Sequence, residues 1–162
     1  MKNIYYALLG TPWWVYLLFA FLFYTGLKAR KSSTIPIKKL FMFPAIFIIW
    51  SLLSLISKVA NSNIYLILIW ITLGFIGYLI GLKITQTTNV QVDRINSVIT
   101  IPGSGWIMLL ALMSIFFIKY LFGYTYSTNP SAIAYCLPLD LGFSGAITGI
   151  FLGRAHGYFK KY

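Results

Sequence analysis

Apolar residues in this chain gather into long runs, interrupted by short stretches that are basic, polar or marked by proline, instead of recurring as the one-sided stripe of a soluble helix. A helix crossing a hydrocarbon core of about 30 Å needs about 20 mostly apolar residues, and fewer where flanking side chains reach up to the headgroups. Five runs meet that requirement. Four cover about 12–27, 40–56, 64–82 and 106–122, and the fifth ends near 159 and begins at 131 or at 141. The first opens on Thr11-Pro12, a capping residue followed by a proline suited to the first helical position, with Trp13 and Trp14 placed as headgroup-level aromatics. No small-residue cleavage signature precedes the basic stretch Lys28, Arg30, Lys31, so the first run is expected to stay as an uncleaved helix. The pattern predicts an all-α integral membrane protein with one transmembrane domain of five helices.

The connection between the third and fourth runs has a different period. In the stretch from Val90 to Pro102, apolar and polar positions alternate on either side of a polar centre, Asp93 to Ser97. Alternation around turn-forming residues is a hairpin signal. Val90 and Val92 share a face with Ile99 and Ile101, and since a lone two-stranded hairpin is marginal in water, this one is expected to lie against the cytoplasmic end of the bundle or the headgroups.

The basic residues give the five runs a direction. Loop one holds Lys28, Arg30, Lys31, Lys38 and Lys39, loop three Lys83 and Arg94, and the tail Arg154, Lys160 and Lys161: ten on one side. Lys2, Lys58 and Lys119 make three on the other. Cytoplasmic connections carry the excess of Lys and Arg, so the N-terminus is expected outside and the C-terminus inside. Composition agrees with a lipid solvent: 59% of residues are hydrophobic and 9% charged, against about 25% charged in a soluble domain. The net charge of +11 raises the question of nucleic acid. The cations sit at the ends of apolar runs, however, as anchors facing anionic lipid, and no basic patch interleaved with aromatics offers a nucleic-acid surface. The twelve tyrosines and five tryptophans read mostly as interface belt and lipid-facing bulk.

The third and fifth runs share the form LGFxGxxxG, from Leu73 and from Leu141, and TIP precedes each, at Thr34 and Thr100, by 39 and 41 residues. On the charge argument both copies run in the same sense, which would make residues 34–82 and 100–153 a parallel repeat, with chance likeness of two glycine-rich helices as the competing explanation. Gly77 and Gly81 form one GxxxG, and Gly145, Gly149 and Gly153 two in succession. Small residues at this spacing let helix backbones approach in lipid, so these faces are expected to pack, within the chain or across a dimer axis.

Asp140 is the one acid in or near an apolar run, and an ionisable group at membrane depth is a functional candidate. If the fifth helix begins at 131, Asp140 lies deep with Pro138 kinking the helix above it; if it begins at Leu141, Asp140 is its N-cap, the cheaper arrangement. Lys119, beside Tyr120 at the end of the fourth run, is on the same expected side and within reach of a pairing with Asp140, snorkelling being the simpler use. His156 has no second His, Cys or carboxylate at ligand spacing, and the single Cys136 has no disulfide partner, so neither metal nor haem nor other cofactor is expected. HExxH, GxSxG and P-loop signatures are missing, and two carboxylates in total leave little for acid–base work, so no enzyme activity is expected.

At VDRINSVITIPGSGW, IKYLFG and GIFLGRA the chain resembles an uncharacterised bacterial family of small multi-helix inner-membrane proteins of unknown function. The resemblance rests on Val92 to Arg94, Pro102 to Ser104 and Gly149 to Arg154. It implies a bacterial cytoplasmic membrane location and a compact bundle, and no activity. Two roles remain open: a non-catalytic scaffold, regulator or small subunit whose partner is another membrane protein or a second copy, and a small-solute or ion transporter using Asp140.

Overall fold

The computed structural model describes residues 10–59 and 64–162; the N-terminal Lys2 of the charge argument lies outside them. The chain divides into two compact units, one of residues 1–32 and 103–133, the other of residues 33–102 and 134–162.

The first unit pairs two helices, α1 (Trp13–Lys28) with α5 (Ile107–Thr128), closed by a short 3-10 turn at Pro130–Ala132. They run antiparallel. Thr11 bonds Tyr120 near one end at 2.9 Å, Phe19 meets Phe116 midway with ring centroids 5.3 Å apart, and Gly26 lies against Leu109 near the other. Pro12, not Thr11, occupies the capping position of α1, its carbonyl accepting from Val15 N at 3.0 Å. The Thr11 hydroxyl has a partner on the other helix instead. α5 outruns its apolar stretch by about six residues, since Thr125, Ser127 and Thr128 turn their hydroxyls back onto the carbonyls four residues earlier, at 2.8–3.1 Å. Such internal bonds let polar side chains continue a helix.

The second unit begins with β1 (Ser33–Pro36), a single helical turn α2 (Ile37–Leu40) and α3 (Met42–Val59). Pro44 falls in the first turn of α3, where a missing N–H removes no intrahelical bond. α4 (Ile64–Gln86) leads into β2 (Gln91–Asp93) and β3 (Val98–Ile101), and α6 (Ile133–Lys161) ends the chain. The expected hairpin is therefore part of a three-stranded antiparallel sheet ordered β1-β3-β2. Ile35 pairs with Ile99, which pairs with Val92, so one cross-strand row is apolar throughout. That row is the sheet's inner face. Ile99 is fully buried and joins Leu40, Ala155 and Tyr158 in a core that also takes Val90, Val92, Ile101 and Tyr162. The sheet thus covers the C-terminal end of α6, and the facing pair Thr34 and Thr100 bonds hydroxyl to hydroxyl at 2.8 Å on the other side.

Candidate functional site

The 29-residue helix α6 organises the second unit: half of its most apolar stretch is buried, against 17% for α4 and 11% for α5. Its glycines explain how that burial is reached. A side chain at Gly145 would strike the Trp70 carbonyl, one at Gly149 the Gly74 carbonyl, and one at Gly153 the Tyr78 carbonyl. From the other helix, a side chain at Gly77 would strike the Ala146 carbonyl and one at Gly81 the Ile150 carbonyl. At these five glycines α4 and α6 approach backbone to backbone. Below them Gly157 faces Thr85, 2.7 Å from where its Cβ would be, so the contacts advance together along both helices, which lie parallel.

A second line of buried residues runs along α6 at Asp140, Ser144 and Thr148. This four-residue spacing keeps side chains on one side of a helix. Ser144 Oγ donates to the Asp140 carbonyl at 2.7 Å, and Thr148 Oγ1 to the Ser144 carbonyl at 2.8 Å, so each hydroxyl has an acceptor on its own helix. Asp140 is 1% exposed.

The helix does not start at Asp140. It runs unbroken from Ile133 with Pro138 inside it, and Asp140 stands about two turns in, roughly 10 Å along the axis. The N-cap reading is corrected accordingly: a proline in a packed apolar helix removes one backbone bond without ending the element. Lys119 is half-buried on α5 of the first unit, and Asp140 belongs to the second.

Three polar ties were not foreseen. The Tyr78 hydroxyl bonds His156 Nδ1 between α4 and α6. Trp70 Nε1 donates to Ser51 Oγ at 2.7 Å, joining α4 to α3. Lys161 Nζ donates to the Thr85 and Thr88 carbonyls at 2.6 and 2.7 Å and to Gln86 O at 3.3 Å, so the last turn of α6 caps the carbonyl end of α4. Cations belong at that end of a helix dipole. The glycine spacing holds the register that would have revealed the first tie. Among the described residues no group of three His, Cys, Asp or Glu side chains is placed to hold a metal ion. A shallow, open apolar groove of about 380 Å³ lies on α4, lined by Tyr65, Leu68, Ile69, Thr72 and Leu73.

Three helices among the described residues, α4, α5 and α6, are long and apolar enough to cross a membrane. Their length and apolar composition are compatible with a helical membrane protein. The chain belongs to a family of unknown function, DUF6622, whose model matches residues 3–160. Neither a curated protein nor a solved structure matches it.

Proposed function

We propose that this protein is a non-catalytic component of a bacterial inner-membrane assembly, acting as a scaffold, regulator or small subunit. In this reading α1 and α3 add two spans to α4, α5 and α6, with the N-terminus outside and the C-terminus inside. The antiparallel sense of α1 and α5 and the parallel sense of α4 and α6 are those that such a five-span path requires. A duplicated strand–helix–helix unit is part of the proposal. It draws support from the two TIP segments, which face one another across β1 and β3 with Thr34 opposite Thr100, and from the two LGFxGxxxG helices, which pack together.

The observation that carries the assembly reading is the α4–α6 contact itself. Its small residues are consumed in bringing two backbones together, and the groove beside it is lined by α4 side chains, with Asp140 of α6 not among them. Native mass spectrometry of the protein extracted gently from its own membrane tests the reading. A retained protein companion in fixed ratio is expected, and a bare monomer under conditions that preserve other membrane complexes would overturn it.

One observation favours transport instead: Asp140 is buried within a helix and does not cap one. On that reading Asp140→Asn abolishes uptake while the protein keeps its melting temperature. Unchanged uptake in that variant would remove the alternative.

A further inference from the structure

We propose that the corner where α1 ends and α5 begins is a binding site for the phosphate headgroup of an anionic phospholipid, with Arg30 as its principal ligand. The inference needs the helices to cross a membrane and does not depend on whether the protein assembles or transports.

Three cations stand close together in the chain here, Lys28, Arg30 and Lys31, and all three are exposed. The first unit supplies no counter-charge. The protein's two acids are Asp93 and Asp140, both in the second unit, whereas Lys28, Arg30, Lys31 and Lys119 belong to the first. A basic cluster at the end of membrane-embedded helices, without an acid of its own unit, draws anions from the surface around it, and anionic lipid is the anion concentrated there.

The corner is also built to hold one of those cations in a fixed pose. The Arg30 guanidinium lies over the Trp106 ring, 3.7 Å from its centroid, and Trp106 is itself 56% exposed. The Ala29 carbonyl accepts from Ser104 N at 3.0 Å and from Ser104 Oγ at 3.2 Å, fixing the peptide next to Arg30. Gly103 presses on the Arg30 backbone so closely that a Cβ there would sit 2.8 Å from the carbonyl carbon of Lys31. Stacking occupies the face of a guanidinium and leaves its in-plane N–H groups for a bidentate bond, the geometry that suits a phosphate. An indole at this level is at home among headgroups. Lys28 and Lys31 add charge without that orientation.

The test is a lipid titration of the purified full chain in detergent, read by native mass spectrometry with dioleoyl phosphatidylglycerol and, separately, dioleoyl phosphatidylcholine. Phosphatidylglycerol is expected to bind about tenfold more tightly, and Arg30→Gln to lose about fivefold of its affinity. Arg30→Lys keeps the charge but not the stacked fork and should lose most of that fivefold, whereas Lys83→Gln, a cation of the second unit, should change little. Inorganic phosphate at millimolar concentration should not displace the lipid. Equal retention of the two lipids would overturn the proposal, as would full affinity in Arg30→Lys, which would mean charge attraction without a site. Displacement by inorganic phosphate would make this a site for free anions and equally overturn it. Because Arg30 is exposed, its variants are expected to fold, and Trp106→Phe, which preserves an aromatic platform, checks the stacking independently with a loss of about twofold.

Discussion

The two units solve one problem in opposite ways. Between apolar helices in lipid, burial of apolar surface gives little drive to associate, so contact must come from packing and from hydrogen bonds. α1 and α5 meet antiparallel largely through side chains: Phe19 on Phe116, a Thr11–Tyr120 bond near the end, and the Leu109 side chain against Gly26, while Phe116 is itself stacked on Tyr120 of its own helix with centroids 6.3 Å apart. α4 and α6 meet parallel through the absence of side chains, with glycines opposite carbonyls from Trp70 to Tyr78 on one helix and from Ala146 to Ile150 on the other. An aromatic contact can rearrange when one ring is lost. A backbone contact has no soft part, so the second interface should be brittle where the first is tolerant.

The sharpest way to break that comparison is Gly149→Leu. Its Cβ alone would collide with the Gly74 carbonyl and approach Tyr78 N to 2.8 Å, atoms that move only if a whole helix moves. Loss of about 3 kcal/mol or more is expected, seen as aggregation or loss of the main peak in detergent gel filtration. Gly123→Leu on α5 is the matched control, since nothing lies within 4 Å of its Cβ position; a similar loss in the control would mean that glycine content, not interface geometry, sets stability. Next in size is Phe116→Ala in the first unit. It forfeits three ring contacts, with Phe19 across the helix pair and with Phe117 and Tyr120 on its own helix, at about 1 kcal/mol each, and the melting temperature should fall while the protein stays monodisperse. Collapse of this variant to the level of Gly149→Leu would erase the distinction between the two interfaces.

A smaller effect is expected from Lys161→Met. Its ammonium ties the end of α6 to three carbonyls at the end of α4, and its removal leaves those carbonyls to water at a cost of about 1 kcal/mol. The signature is faster hydrogen exchange confined to residues 84–88 and the C-terminal turn. If exchange rises along the whole of α4, the lysine supports the glycine interface as well as its end.

Much of this contrast could be read in the chain before any coordinates. The apolar runs located the helices, the GxxxG spacing singled out the residues at the α4–α6 contact, and the alternation from Val90 to Ile101 found two strands and their buried face. The third strand escaped because Ser33–Pro36 has four residues, two of them hydroxylic and one proline, and only pairing with β3 makes such a segment a strand. TIP was visible as a repeat but not as two segments lying opposite one another. Asp140 stays ambiguous in the sequence for a different reason: a proline two residues ahead fits either a helix that starts after it or one that continues through it, and a packed apolar helix tolerates the second, as α6 does. The Arg30–Trp106 stack spans 76 positions in the chain and depends on the turn at Gly103 to Gly105, where Gly105 takes a positive φ of 58°. No local pattern carries such a pairing.

The smallest expected effect lies outside both helix pairs, in the turn between β2 and β3, and it bounds how much the sheet end adds to the second unit. Asp93 Oδ2 accepts from the Asn96 side-chain amide at 2.7 Å, while Oδ1 accepts from Asn96 N at 3.2 Å and Ile95 N at 3.0 Å. These bonds, the Asn96 amide first, hold its carboxyl below the ordinary carboxylate value against a small opposing effect of burial. A carboxyl with a lowered folded value favours folding while it is ionised. Its contribution is therefore complete above the ordinary carboxylate range and disappears as pH falls through that lowered value. The turn presents Ile95 almost wholly to solvent, 94% exposed, so no packing compensates when the bonds are lost. Carbon-13 NMR of the Asp93 carboxyl should show titration displaced to lower pH, and amide exchange at Ile95 and Asn96 should quicken in acid before exchange in α4 does. In Asn96→Ala the displacement should shrink and the acid sensitivity of the turn with it. Simultaneous acid loosening of the turn and of the glycine interface would mean that the sheet and the helix pair form one cooperative unit.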